Sequence, residues 1–386
     1  MILAGGQGTR IKKFLKGIPK PLYKFNNVPF LQLLINHYAK YPFENIYIMC
    51  GYKADKIYKT FHNQIINFVK IKCFIEKKPL GTGGALNILK KIIKNDFFLV
   101  NGDSFFNVRL NKFFFKTKLV NTIFLTKNNT YKSNNKLSKL SINHQKKIYF
   151  SKKGNMMNAG IYFFKKKILS KINRKTFSLE NDIIPNLIKN NDLNGIYKND
   201  FFIDIGTQDN LKKAQIQLPV FFRRPSAFLD RDGVINYDYN YVYKIKDFKF
   251  KKNILKSLKY LCNKNFYVFI VTNQAGIAKK KFSLNDFFKL HKYLKHYLNQ
   301  KYINFDSVEF CPYHKNGLVN KFRKDSVFRK PNNGMIKKIN RNWFINHKKS
   351  FFIGDQKSDE KCAKKSKLYF EYPKKDIFKQ IKNLTE

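Results

Sequence analysis

The run Ala227-Phe228-Leu229-Asp230-Arg231-Asp232-Gly233 sets two carboxylates, two residues apart, directly behind three apolar residues and ahead of a glycine. A short apolar run that stops at polar residues predicts a buried strand. Carboxylates at its end predict a site at the carboxyl edge of a parallel sheet, where open α/β folds bind ligands. Downstream, Tyr267 to Val271 and Phe351 to Ile353 read as further strands separated by helical stretches. Upstream, Ile46 to Met49, Phe97 to Val100 and Gly160 to Phe164 read as strands, while Phe30 to Tyr41 and Thr82 to Ile93 read as helices. The alternation predicts the α/β class with largely parallel sheets in both halves. Between them, Leu218 to Ser226 carries Pro219 and Pro225, which predict an interruption of any helix or central strand. Two domains, residues 1–217 and 227–386, are therefore expected around a linker at 218–226. The Asn/Lys-rich segment from Lys127 to Lys139 reads as a surface loop.

A length of 386 residues agrees with two or three domains. The basic residues number 77 against 25 acidic, a formal net charge of +52, which raises nucleic acid or an anionic membrane as partner. The distribution argues against both. Only nine of the basic residues are arginine, the residue a nucleic-acid reader favours, and the lysines are scattered along the chain. The excess of Lys, Asn, Ile and Phe reads as a drift in residue usage. Cys50, Cys73, Cys262, Cys311 and Cys362 are odd in number and contain no CxxC pair, so no disulfide framework is expected. Neither a signal-peptide pattern nor a run of 18 apolar residues is present, and a cytoplasmic setting is expected.

Near the start, Leu3-Ala4-Gly5-Gly6-Gln7-Gly8-Thr9-Arg10 follows a very short strand. Its glycines let backbone N–H groups approach a polyphosphate, and Arg10 with Lys20, in Pro19-Lys20-Pro21, adds fixed positive charge. The spacing fits neither a P-loop nor a dinucleotide fingerprint. With Pro79-Leu80-Gly81-Thr82-Gly83-Gly84-Ala85, Asn101-Gly102-Asp103-Ser104, Asn158-Ala159-Gly160-Ile161-Tyr162, Ser178-Leu179-Glu180 and Phe202-Ile203-Asp204-Ile205-Gly206-Thr207 in order, residues 1 to 217 resemble the sugar-phosphate nucleotidylyltransferase family. The resemblance implies a Rossmann-like sheet and nucleotide contacts from Leu3, Ala4, Gly5, Gly6, Gly8, Thr9, Arg10, Lys20, Gly81 and Thr82. It implies sugar contacts from Asn158, Gly160, Glu180 and Lys153, and Mg²⁺ held by Asp103 and Asp204. Two hard carboxylates suit that ion beside a triphosphate. Ser178 could instead make Glu180 part of a helix cap. Lys152 stands where the family often has Glu before Lys153, and few residues precede the glycine loop.

The second half resembles the haloacid dehalogenase phosphatases. It carries Asp230-Arg231-Asp232-Gly233, then Val271-Thr272-Asn273-Gln274, Arg329-Lys330-Pro331 and Phe352-Ile353-Gly354-Asp355. That implies a Rossmann-like fold with small cap loops. Asp230 would be the nucleophile, Asp232 the general acid and base, Thr272 and Lys330 phosphate binders, and Asp230, Asp232 (through its carbonyl) and Asp355 the Mg²⁺ ligands. Asp359 reads equally as a supporting helix residue. Asp230 to Asn236, Asp238 to Tyr241, Thr272 to Ile277, Cys311-Pro312, Arg329-Lys330-Pro331 and Gly334-Met335 resemble the heptose 1,7-bisphosphate 7-phosphatases, and the resemblance implies substrate contacts from Asp238, Tyr241, Asn273, Gln274 and Arg329. Those proteins carry a structural zinc loop. Here Cys311 remains, but Tyr313, Ser326 and Phe328 occupy three of the four ligand positions and His314 falls one residue late, so no zinc is expected. Gln356 replaces a common Lys.

Both halves point to sugar phosphates. The expectation is a bifunctional enzyme that removes the 7-phosphate of D-glycero-D-manno-heptose 1,7-bisphosphate and joins the 1-phosphate to a nucleotide, GTP being favoured, to make GDP-heptose for lipopolysaccharide or a related surface polysaccharide. A mannose or other hexose 1-phosphate transferase fused to a phosphatase of other specificity, such as for histidinol phosphate, is the first alternative. A basic nucleic-acid- or membrane-associated protein with a degenerate transferase half is the second. Homo-oligomerisation stays open.

Overall fold

A computed structural model describes the chain except for residues 77, 79, 116–118, 128–136, 138 and 173–175. Pro79 and most of the segment expected as a surface loop lie outside the described residues.

In the first half, β1 (Ile2–Ala4), β2 (Asn45–Cys50), β3 (Val69–Ile75) and β4 (Phe97–Asn101) run parallel in the order β4-β1-β2-β3. β1, β2 and β4 are largely apolar on both faces because each face is covered, whereas β3 alternates, with Lys70 and Lys72 on its outer face. Ile48, Cys50, Phe98 and Val100 point into one apolar cluster, and Met49 and Leu99, one residue out of step, into another. A short β5 (Ser104–Phe106) follows β4. The strand expected from Gly160 extends back to Met156 as β6 (Met156–Phe164), antiparallel to β4, with a register shift between Asn158 and Tyr162. Then β7 (Phe202–Asp204) pairs antiparallel with β5, setting Asp204 opposite Ser104. The sheet is thus mixed, with a parallel centre.

Two helices near the sheet are α1 (Phe30–Ala39), buried at every residue, and α2 (Gly81–Lys90). A third, α3 (Gln208–Phe222), corrects the reading of the proline-bearing junction. Pro219 lies inside it rather than ending it. Pro219 gives up one intrahelical hydrogen bond, at a cost of about 3 kcal/mol in a helix interior. Burial of Leu211, Ala214, Leu218 and Phe222 along one stripe offsets that cost. Thr207 caps the start, its hydroxyl accepting from the Asn210 N–H.

The second half is a five-stranded parallel sheet of β8 (Ser226–Leu229), β9 (Tyr267–Asn273), β10 (Ser307–Cys311), β11 (Phe351–Ile353) and β12 (Tyr369–Glu371), in the order β10-β9-β8-β11-β12. Its helices include α4 (Leu284–Gln300), closed by a Ser283–Asp286 capping box, α5 (Gly334–Asn342) and α6 (Lys357–Lys365). In each sheet the strand order turns back at the strand carrying the key motif, β1 and β8. That is the switch point at which a crevice opens beyond the strand ends.

The halves share a buried seam. Asn67 donates to the Phe305 carbonyl at 3.0 Å, Asn111 to the Asn299 side chain at 2.8 Å, and the Tyr267 hydroxyl to the Phe222 carbonyl at 2.8 Å. Phe68 belongs to the apolar cluster of the second half, and Phe344 to that of the first. Among the described residues, no helix is long and apolar enough to cross a membrane.

Two candidate active sites

The carboxyl ends of β1 and β4 open into a cleft of about 1050 Å³, roomy for a nucleotide and a sugar phosphate together. It is lined by Leu3, Ala4, Gly5, Gly6, Arg10, Lys20, Gly81, Thr82, Asp103, Asn158, Glu180 and Asp204, drawn from segments two hundred residues apart. The structure therefore brings together most of the residues expected there. Gly8 and Thr9 stand behind the loop: Gly8 has φ 63, which favours glycine, and Thr9 starts a short 3-10 turn. Gly160, at φ 72, packs on Asn101, and Lys153 is exposed on the turn before β6.

The charges of this cleft are held by polar partners. The Lys20 ammonium sits on Asp103. Asp204 accepts from the Gly206 N–H at 2.8 Å and from Asn210 at 2.9 Å, and Arg10 reaches alongside Gly206. The β5–β7 register makes Asp103 and Asp204 neighbours on the cleft wall, a donor set of hard oxygens that fits Mg²⁺. Glu180 receives the hydroxyls of Thr82 and Ser178, while Ser178 also accepts from the Asn181 N–H. The cap and a cleft-lining carboxylate thus coexist in that segment. Asn158 shapes the β6 bulge, donating to Tyr162 and accepting from the Gly160 N–H.

One cleft residue has no motif to announce it. Glu76, directly after β3, lies 3.2 Å from where a side chain on Gly5 would begin. Burial pushes its carboxyl above the usual range, against a hydrogen bond from the Leu80 backbone. Only the β2–β3 pairing, which places the end of β3 beside the glycine loop, reveals it.

At the end of β8 the arrangement is tighter. Asp230, Lys330, Thr272, Gln274 and Asp359 are all buried. Lys330 Nζ lies 3.0 Å from Asp230, also contacts Asp359, and donates to the Val271 carbonyl at 2.8 Å. Its backbone is clamped through Asn273, which donates to the Lys330 carbonyl and accepts its N–H. One ammonium cannot neutralise two carboxylates. Burial therefore lifts Asp230 to about 7 despite the pull of Lys330, with Asp359 and Asp232 adding to the rise. Lys330 itself is raised, because the two carboxylates outweigh the burial that would lower it. Asp232 behaves oppositely. Burial would raise it, but Arg231, with hydrogen bonds from Arg231, Asn236 and Gln274, holds it below the usual carboxylate range.

Carboxylate oxygens of Asp230, Asp355 and Asp359 lie within 4.8 Å of one another, so the site fits a divalent ion. A side chain at Gly233, which has φ 77, would meet Asp355 at 2.2 Å, so glycine is required there. Asp359 pairs with Lys330 and also lies in this carboxylate set, and Gln356 donates to Asp355 at 3.1 Å. Arg231 was unassigned by sequence; it grips Asp232 through two nitrogens and donates to the Val242 carbonyl at 2.8 Å. The 238–242 loop is thereby tied to Asp232. Asp238 accepts from the Asn240 N–H, Tyr241 packs beside Gly276, and Arg329 reaches the Tyr313 carbonyl. Tyr313 and Phe328 pack against an apolar cluster with Cys311.

Residues 1–219 match the family model described as nucleotidyl transferase, and residues 229–378 that described as polynucleotide kinase 3 phosphatase. The chain belongs to the nucleotidyl transferase family through its first half, and it carries a phosphatase domain in its second. More particularly, the first half is 33% identical over 215 residues to the D-glycero-alpha-D-manno-heptose 1-phosphate guanylyltransferase of Campylobacter jejuni, covering 54% of this chain and 95% of that protein. The second half is 41% identical over 142 residues to the D-glycero-beta-D-manno-heptose-1,7-bisphosphate 7-phosphatase of Rhodopseudomonas palustris, covering 37% and 79%. It is 38% identical over 167 residues to the D-glycero-alpha-D-manno-heptose-1,7-bisphosphate 7-phosphatase of Campylobacter jejuni, covering 42% and 92%.

Proposed function

We propose that this protein is a bifunctional cytoplasmic enzyme of GDP-heptose synthesis, its division of labour falling between residues 217 and 227. It removes the 7-phosphate of D-glycero-α-D-manno-heptose 1,7-bisphosphate and transfers GMP from GTP to the resulting 1-phosphate. The observation that carries this reading is the union, in one chain, of two halves whose relatives act on consecutive compounds. The α anomer is supported by the transferase half's relative and by one phosphatase relative, both named for that anomer, against a second phosphatase relative named for the β anomer.

In the phosphatase half, Asp230 attacks the 7-phosphorus, and the bond to the sugar oxygen breaks as Asp232 gives that oxygen a proton. Asp232 then takes a proton from the water that cleaves the aspartyl phosphate. Lys330 and Thr272 hold the phosphoryl oxygens, while Asn273, Gln274, Arg329, Asp238 and Tyr241 face the remainder of the substrate. In the transferase half the sugar 1-phosphate attacks the α-phosphorus in line and expels pyrophosphate. Arg10, Lys20 and the Gly5-Gly6 backbone hold the triphosphate, and Asn158 and Glu180 position the sugar. Mg²⁺, held by Asp103 and Asp204 in one site and by Asp230 and Asp355 in the other, would neutralise phosphate charge. Tyr313, Ser326 and Phe328 leave no thiol set for structural zinc, and elemental analysis of the purified protein tests that point.

Glu76 supports guanine. Its carboxylate can accept from both N1–H and the 2-amino group of that base, a donor pair that adenine, uracil and cytosine do not offer. A coupled assay on the bisphosphate with GTP, ATP, UTP and CTP is the test. Pyrophosphate is expected with GTP foremost, and Glu76→Gln should lower kcat/KM for GTP about 10- to 100-fold relative to UTP. Phosphate release without pyrophosphate from any nucleotide would sink the bifunctional reading.

A further inference from the structure

The geometry points to release of the sugar 1-phosphate into solvent between the two steps, so that the fusion joins two stations without a protected passage. This rests on the proposed pair of reactions.

Both sites lie at the carboxyl ends of their parallel strands, whereas the seam is built from the opposite ends. On the first half it uses Asn67 and Phe68, just before β3, and Asn36 in the last turns of α1. On the second half it uses Tyr267 at the start of β9, Phe305 just before β10, and Asn342 ahead of β11. The two sheets therefore stand base to base and their crevices open at opposite poles. The chain itself traces the separation. Thr207, at the head of α3, lines the transferase cleft, and Phe222, at its foot, stacks on Phe344 in the seam. After Arg223, β8 climbs from the seam to Asp230. A 15-residue helix covers about 22 Å and a four-residue strand about 13 Å, which sets the sites on the order of 30 Å apart. The cavity enclosed in the seam by Phe222, Arg224, Tyr267, Asp306 and Phe344 holds about 20 Å³, room for one water and not for a sugar phosphate. The Debye length of about 8 Å at physiological salt confines the pull of each lysine to its own neighbourhood, so any guidance along the lysine-rich exterior would weaken as salt is added.

The test supplies labelled bisphosphate, GTP and an equal, pre-added pool of unlabelled sugar 1-phosphate to the full chain at 0.15 M salt. Free release predicts that the earliest product is almost wholly unlabelled, with a lag in labelled product, and that its label rises toward half that of the bisphosphate as conversion completes. Undiluted label with no lag overturns the inference, as does label that is retained at low salt and still retained at 0.15 M. A second measurement mixes Asp230→Asn with Asp103→Ala, at site concentrations equal to wild type. The mixture should match the wild-type progress curve, and a severalfold slower mixture would count against release. Phosphate from the bisphosphate and pyrophosphate from the 1-phosphate are assayed separately on the same samples. A missing activity there defeats the functional reading, whereas two intact activities with undiluted label defeat only this inference.

Discussion

The two sites handle charge in opposite ways. In the transferase cleft, acids and bases line an open space: Lys20 pairs with Asp103, while Asp204 and Glu180 are held by a backbone N–H, an amide and hydroxyls, so substrates meet charges already in position. In the phosphatase site Lys330 and Asp359 are sealed from solvent and locked with Asp230 into one ionic cluster. The difference follows the chemistry. In-line transfer between two bound substrates needs orientation and charge neutralisation. A covalent nucleophile must be held rigidly enough to attack and be regenerated, and burial of its supporting ions does that at the cost of desolvation.

The sharpest way to break this contrast is to remove the proposed nucleophile. Asp230→Asn should lower phosphate release about 10⁴-fold or more and leave pyrophosphate release unchanged; equal loss of both would mean the sites are not independent. Next, Asp204→Asn should lower pyrophosphate release about 10²- to 10³-fold, the scale of one positioned charge, without touching phosphate release. Asp359→Asn frees Lys330 from one carboxylate and should cost the phosphatase about 10- to 100-fold in kcat, with a smaller change in KM; no change would show that the buried pair is ornamental. The smallest effect is a pH dependence. Asp230 is raised to about 7, so in metal-free protein it holds its proton below that pH and would have to lose it to hold the proposed Mg²⁺. The apparent Mg²⁺ requirement for phosphate release should fall about tenfold per pH unit up to 7 and flatten above. The same raised carboxyl binds a proton in the folded chain that the unfolded chain has already lost. Its contribution to stability is therefore present near pH 4 and lost as pH rises through about 7.

Much of both sites was legible because their groups travel in short motifs at strand ends. Leu3 to Arg10, Asp103, Asp204, Asp230 to Gly233, Thr272 and Asp355 each follow a recognisable apolar run, and Lys330 stands in the Arg329-Lys330-Pro331 motif. What stayed hidden depends on contacts between distant segments. Glu76 is one carboxylate after an ordinary strand until sheet pairing brings it to Gly5. The hold of Asp359 on Lys330 needs α6 to return beside the Lys330 loop, and the grip of Arg231 on Asp232 needs the fold to close over them. The helical path through Pro219 escaped because local propensity argues against it, while burial of Leu218 and Phe222 in the folded chain outweighs that preference.

The seam has a consequence for taking the molecule apart. Phe68 is lodged in the core of the half it does not belong to, and Phe344 returns the exchange. Severed between Arg223 and Pro225, each fragment would present a bare aromatic face with a hole where its neighbour's ring had been, a surface prone to self-association. The chain is thus two catalysts that melt as one body, and gentle heating should extinguish both activities over the same few degrees.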